Sequence, residues 1–235
     1  MTTLRHALVA GARDTIPLMI GTLPFGVIYG TSAVAAGLSP LAALAMSVIV
    51  FAGSAQFIAV SLISGGAALP VIWLTTFVVN LRHALYSATL HPAAHGWALR
   101  WRALVAFWLT DEAFAVIEKR LMERGNEALL PYALGAGGGF YLNWLTWTAV
   151  GAWLGQQFPD LAGWGLDFAM IATFAAMVAP QLRASTPVVV ALAAGSTAWL
   201  ARGLPFKLGL ILAAFAGVAA GVWMDHRRTA RAAKT

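Results

Sequence analysis

The feature that most constrains this chain is a succession of apolar runs, each about as long as a bilayer is thick. One run extends from Ala67 to about Leu90, and a lone arginine, Arg82, stands in its middle within Asn80-Leu81-Arg82-His83. A hydrocarbon core takes about 20 apolar residues per helix. An arginine placed there costs roughly 2.5–3.5 kcal/mol on insertion scales, so it must be held against a partner or in a watery cavity. Only 10% of the 235 residues are charged and 60% are hydrophobic, whereas a soluble domain carries about 25% charged residues. The expected fold is all-α: a polytopic integral membrane bundle of about eight transmembrane helices, or about seven, several of them broken by Gly and Pro.

The net charge of +6 does not point to nucleic acid, because the basic residues are scattered over the segments between runs. Basic residues so placed are topology signals. The chain has no cysteine, which excludes disulfides and cysteine-ligated metals. No metal or cofactor is expected. The first apolar run is read as a span and not as a cleavable leader, being too long and without a small-residue cleavage site.

Residues 1–14 are mildly amphipathic and read as a cytoplasmic N-terminal segment at the interface. Residues 15–224 read as one transmembrane domain, and 225–235 as a basic cytoplasmic tail. Span one covers about Thr15 to Ala36, with Pro24, Phe25 and Gly26 marking a kink or an unwound segment. Span two covers about Leu41 to Ile63, with weak points at Gly53, Ser54 and Gln56. Span three is Ala67 to about Leu90, followed by a loop holding His91, Pro92 and His95. Span four, about Ala103 to Arg120, carries Thr110-Asp111-Glu112 at its centre. Span five, about Leu129 to Leu154, is interrupted by Gly137-Gly138-Gly139 and carries Asn143. Span six runs from about Trp164 to Gln181, with Asp167 near its start. Two shorter spans, about Pro187 to Ala201 and Pro205 to Trp223, close the chain, the last with Gly217 and Gly221 four residues apart, a spacing that admits close helix packing. With eight spans and the N-terminus inside, ten Lys and Arg residues fall on the inner side and four on the outer, which places both termini in the cytoplasm. Spans one and two are faintly echoed by spans five and six, and paired interrupted spans point to a transporter's binding site.

Helical geometry sorts the polar residues of span three. Thr76, Asn80, His83 and Ser87 share one face, Thr75, Arg82 and Tyr86 a second, and Leu74, Phe77, Leu81 and Leu85 a third suited to lipid or to packing, so most of the circumference is expected to be buried. At about 1.5 Å per residue, Arg82 and the Asp111-Glu112 pair lie at the same depth if spans three and four are antiparallel neighbours. Asp111 or Glu112 is therefore the expected counter-charge. Two roles stay open: an ion pair that fixes helix register, or a site that handles protons or substrate. Two adjacent acids favour the latter, because one remains free to take a proton. His83 is a possible relay. Unwound backbone at Pro24-Phe25-Gly26, Gly53-Ser54 and Gly137-Gly138-Gly139 would expose N–H and C=O groups able to hold the carboxylate and ammonium of an amino acid. Ser54 with His83 also permits an intramembrane serine hydrolase, although no oxyanion-hole signature accompanies them. His91 and His95 lack further metal ligands.

Several of these stretches resemble the AzlC family. They are Gly21-x-x-Pro24-Phe25-Gly26-x-x-Tyr29-Gly30, Gly37-Leu38-Ser39, Met46-Ser47, Phe51-Ala52-Gly53-Ser54-Ala55-Gln56-Phe57, Asn80-Leu81-Arg82-His83-x-Leu85-Tyr86, Thr110-Asp111-Glu112-x-Phe114 and Leu166-Asp167-Phe168 with Ala172-x-Phe174. The resemblance covers residues 15 to 185. It implies the large subunit of a branched-chain amino acid permease in the bacterial cytoplasmic (inner) membrane, an exporter working with a small multi-span AzlD-type subunit. The expected function is a proton-coupled secondary carrier of apolar amino acids and not an enzyme. Pro24, Phe25, Gly26, Gly53, Ser54, Gln56, Asn80, Gly138 and Asn143 are the candidate substrate contacts. Arg82, His83, Asp111, Glu112 and Asp167 are the candidates for proton coupling or ion pairing. A non-transporting membrane scaffold is the other alternative.

Overall fold

The computed structural model describes residues 2–157, 175, 179, 182–183, 185–204 and 208–232. The described residues form ten α-helices: α1 (Thr2–Asp14), α2 (Ile16–Ala35), α3 (Pro40–Val50), α4 (Gly53–Ser64), α5 (Leu69–Ala94), α6 (Leu99–Trp108), α7 (Asp111–Arg124), α8 (Leu129–Gln157), α9 (Ser185–Leu200) and α10 (Leu208–Ala232). Asp167 and most of the expected sixth span lie outside the described residues. Among the described residues, one helix, Ile16–Ala35, is long and apolar enough by itself to cross a membrane; Pro40–Val50, Gly53–Ser64 and Ser185–Leu200 are apolar but shorter.

The helices belong to two compact units. The described residues among 1–60 and 79–166 form the first, and those among 61–78 and 167–235 the second. In the first unit, α2 and α8 lie side by side, and small residues set their closeness. A Cβ added to Gly26 would lie 2.7 Å from the Cβ of Trp147, one on Gly30 would meet the carbonyl of Thr148, and one on Gly151 the carbonyl of Val27. Thr31 Oγ1 donates across this seam to the Gly151 carbonyl at 3.0 Å. Such contacts replace the hydrophobic drive that lipid cannot supply between helices. Helix α1 packs on α8 in the same way: a Cβ on Gly135 would meet the carbonyl of Leu8, and one on Gly11 that of Tyr132.

This packing corrects two expectations. Spans one and five are not unwound: α2 runs through Pro24 and α8 runs through Gly137-Gly138-Gly139 without interruption. Their glycines are contact points, with Gly137 and Gly138 against the Trp108 side chain and Gly139 against Met19. The interruptions fall in span two, between α3 and α4 and just before the expected Gly53-Ser54, and in span four, between α6 and α7, where none was expected. The stretch at His91 and Pro92 is also helix and not loop, since α5 continues to Ala94.

The apolar stripe of α5 is exposed, as one of the two readings of its periodicity requires: Leu74, Phe77, Leu81 and Leu85 all face outward. Ala84, Ala88 and Thr89 are exposed as well, so the helix is less enclosed than its polar residues led us to expect. A core of Leu90, Val105, Leu109, Ile117, Leu129, Ala133 and Ala136 ties the C-terminal part of α5 to α6, α7 and α8. In the second unit α9 and α10 pack together, and the Gly217 and Gly221 positions face Val190 at 3.4 Å.

Candidate functional site

The two helix breaks have identifiable local causes. Helix α3 ends at Phe51, which takes a left-handed conformation with φ 41° and ψ 51°. A residue with a Cβ pays roughly 1–2 kcal/mol for that conformation, and such strain persists only where the surroundings over-determine it. Here Phe51 is 1% exposed and its ring meets Tyr141 edge-on with centroids 4.9 Å apart, beside Phe107 at 6.2 Å. The Tyr141 hydroxyl donates to the Val48 carbonyl at 3.0 Å, satisfying one of the groups a helix leaves free at its C-terminus. Helix α4 then starts at Gly53, where an added Cβ would lie 3.1 Å from the Trp144 ring.

The second break is set by Leu109 and Thr110. Helix α6 ends at Leu109, whose φ of -83° and ψ of 68° leave the helical region, and the Thr110 hydroxyl then accepts the Ala113 N–H at 3.4 Å as the N-cap of α7. Asp111 and Glu112 then occupy the first turn of α7, where the positive end of the helix dipole favours carboxylates.

Arg82 of α5 spans the two breaks. One terminal nitrogen donates to Asp111 Oδ2 at 2.6 Å, and the other donates to Ser54 Oγ at 2.7 Å. The Tyr86 hydroxyl donates to the second oxygen of Asp111 at 3.1 Å, and its ring stacks on Phe114 of α7 with centroids 4.6 Å apart. The expected pairing across spans three and four is thus formed, and Asp111 is the partner. Glu112 has no cation within ion-pair distance among the described residues. Arg82 Nε, Asn80 Oδ1 and His83 Nε2 are buried without hydrogen-bond partners among the described residues, a concentration of unsatisfied polar atoms within four residues of one helix. Each such group costs about 1–3 kcal/mol where it stays unpaired.

The serine–histidine pairing of a hydrolase is not formed, because Ser54 Oγ takes Arg82 while His83 Nε2 is unpartnered. Gln56 lies in a sealed network and not on an open face. It is 0% exposed; its Nε2 donates to Ser47 Oγ at 2.8 Å and its Oε1 accepts from Trp144 Nε1 at 3.0 Å. Ser47 also pairs with Thr148 Oγ1 at 3.0 Å, so this network binds α3 and α4 to α8 beside the first break. Asn143 is occupied between helices, accepting from Trp147 Nε1 at 3.1 Å and facing the Met19 carbonyl at 3.5 Å. Pro24, Phe25 and Gly26 sit on the continuous α2, with Pro24 exposed and Gly26 buried against α8.

Sequence reasoning placed Tyr86 on the face of Arg82 and Thr110 beside Asp111 without giving either a role, and it missed Phe51 as a helix end. Thr110-Asp111-Glu112 carried a legible signal, since a threonine followed by two acids reads as a helix start. Next to the second break, a cavity of about 240 Å³ runs along α5 and α6; its lining includes Leu109, Leu90, Ser87, His91 and Arg102. Arg102 reaches His91 Nδ1 at 3.2 Å there.

The family described as AzlC protein matches residues 17–158, a span that includes Ser54, Arg82 and Asp111. The inner membrane protein YgaZ of Escherichia coli (strain K12) is 29% identical over 169 residues, covering 70% of this chain and 69% of that protein. An uncharacterized membrane protein of Archaeoglobus fulgidus is 32% identical over 213 residues, 89% of this chain and 91% of its own. The branched-chain amino acid transport protein AzlC of Bacillus subtilis (strain 168) is 29% identical over 167 residues, 68% of this chain and 62% of that protein. No solved structure matches.

Proposed function

The chain belongs to the AzlC family of membrane proteins, and from that premise we propose that it is a secondary carrier exporting branched-chain or similar apolar amino acids. The observation that carries this reading is the bridge of Arg82 between two broken helices, to Ser54 at one break and Asp111 at the other. A zwitterion offers a substitute for each half of that bridge. Its carboxylate fits Arg82 together with the N–H groups that begin α4 at Gly53 and Ser54, where the helix dipole also favours an anion. Its ammonium fits Asp111. Asn80 and His83 supply the neutral hydrogen bonds, in keeping with their unpaired atoms. Binding therefore exchanges one ion pair for two, and the half-helices on either side of each break are free to rock as the pair opens. Glu112, one residue from Asp111 and without an ion-pair partner among the described residues, is the carboxylate we assign to proton coupling.

The carrier has about eight spans in this reading, with α3–α4 and α6–α7 each crossing as one broken span. Both termini face the cytoplasm of a bacterial cell and the bundle lies in its inner membrane, as the excess of inner lysine and arginine supports. A small AzlD-type multi-span subunit completes the permease. The test is efflux of labelled valine from loaded vesicles, with and without the small subunit. Saturable efflux that an opposing pH gradient alters supports the reading. Vesicles no leakier to valine than empty ones, with both subunits assembled, refute it.

A further inference from the structure

A second cavity lies in the same unit, outside the proposed carrier site. It measures about 410 Å³ and its lining joins the end of α1 to the latter part of α7, through Arg13, Asp14, Lys119, Arg120, Glu123 and Arg124, with Tyr132 of α8 at its side. Four cations and two acids meet there, and both acids are already engaged. Asp14 Oδ2 accepts from the Tyr132 hydroxyl at 2.7 Å, and Glu123 lies 3.9 Å from Lys119 Nζ. Arg13, Arg120 and Arg124 have no acid within ion-pair distance among the described residues. Arg120 lies over the Tyr132 ring at 5.1 Å, and its Nε is buried with no hydrogen-bond partner among the described residues.

We propose that this cavity binds a phosphate group. Three guanidinium groups from two helices can surround a tetrahedral anion, and arginine's planar fork matches phosphate oxygens in a bidentate manner. Arg120, fixed by its aromatic platform and carrying an unsatisfied N–H, is the anchor; Arg13 and Arg124 close from either side. The position favours a phospholipid headgroup as the source. Basic pockets between membrane helices on the cytoplasmic side take anionic headgroups, and Arg13, Lys119, Arg120 and Arg124 all belong to the segments assigned to that side by charge. A lipid held there would tie α1 to α7, the helix that carries Asp111 and Glu112 at its other end. The proposal rests on membrane embedding and does not depend on what the chain transports.

The experiment measures thermal unfolding of the purified full chain in mild detergent, with phosphatidylglycerol or cardiolipin, phosphatidylcholine, or inorganic phosphate added. At about a hundredfold excess over Kd, a specific ligand raises Tm of a chain this size by about 5 °C or more. A rise with the anionic lipids and none with phosphatidylcholine supports a headgroup site, provided Arg120→Gln combined with Arg124→Gln abolishes it and Arg100→Gln does not. An equal rise with inorganic phosphate supports the same site with a soluble phosphate as ligand. Equal stabilisation by phosphatidylcholine, no rise with any anion, or a rise that survives in the double variant would each overturn the proposal. Arg13→Gln, on a different helix, supplies the same comparison should the double variant not fold.

Discussion

Neutralising both members of the Arg82–Asp111 pair at once separates the two roles the pair can have. The single variants Arg82→Gln and Asp111→Asn each leave one charge without its partner. Unit charges whose centres are about 4 Å apart attract by about 4 kcal/mol at an effective dielectric of ~20. The Arg82 and Asp111 side chains are 25% and 35% exposed, so screening lowers the expected cost of each single variant to about 1–3 kcal/mol. That corresponds to a fall in Tm of roughly 2–4 °C per kcal/mol for a chain of this size. The double variant strands no charge and is expected to be more stable than the sum of the single losses allows. Flux should behave differently. If the pair receives the substrate zwitterion, valine efflux per assembled carrier stays reduced about tenfold or more in both single variants and in the double variant. Stability comes from denaturation in detergent and flux from vesicles of equal protein content. A double variant whose flux returns to within about twofold of wild type, alongside its stability, would show a clamp between helices and refute the carrier-site reasoning.

Three further outcomes follow from the packing. Gly30→Ala places a methyl group against the Thr148 carbonyl and the Ala152 nitrogen, while Gly21→Ala meets nothing within 4 Å; the first should lower Tm markedly and the second hold it or raise it slightly, alanine being favoured over glycine inside a helix by about 0.5–1 kcal/mol, as read by thermal unfolding. Gln56→Leu removes two hydrogen bonds from a sealed network, while Trp144 Nε1 keeps Ser47 Oγ at 3.2 Å; at about 0.5–1.5 kcal/mol for each bond lost, denaturant titration should show a cost of about 1–3 kcal/mol. Tyr141→Phe removes the hydroxyl that satisfies the Val48 carbonyl; a loss of about 1 kcal/mol is expected, with faster proteolysis near Phe51 as the second readout.

What the sequence disclosed follows from the strength of each signal. The stripe of Leu74, Phe77, Leu81 and Leu85 and the meeting of Arg82 with an acid of span four are both consequences of helical periodicity and rise, which a single sequence carries in full. The positions of the breaks were less legible. Glycine and proline mark either an unwound segment or a close approach of two helices, and only the partner decides which. Gly26 and Gly138 proved to be approach points, against Trp147 and Trp108. The break in span two was expected at Gly53-Ser54, and its place at Phe51 was hidden because a phenylalanine in a left-handed conformation depends on Tyr141 and Phe107, more than fifty residues away in sequence. Gln56 read as a polar weak point in an apolar helix, and its partners Ser47 and Trp144 lie on other helices. The choice of Asp111 over Glu112 likewise needed the geometry of the α7 N-terminus, where consecutive residues point about 100° apart.

The chain has no cysteine, so Ser54→Cys gives a carrier with a single thiol at the proposed site, 2.7 Å being the present distance from Ser54 Oγ to Arg82. The decisive measurement is the rate at which a water-soluble thiol reagent modifies that cysteine in vesicles, with and without valine. The account predicts that the thiol is modified, that saturating valine or leucine slows the reaction at least about fivefold, and that lysine or glutamate at the same concentration does not. A thiol modified at the same rate whatever amino acid is present would contradict a substrate site at the junction of α4, α5 and α7.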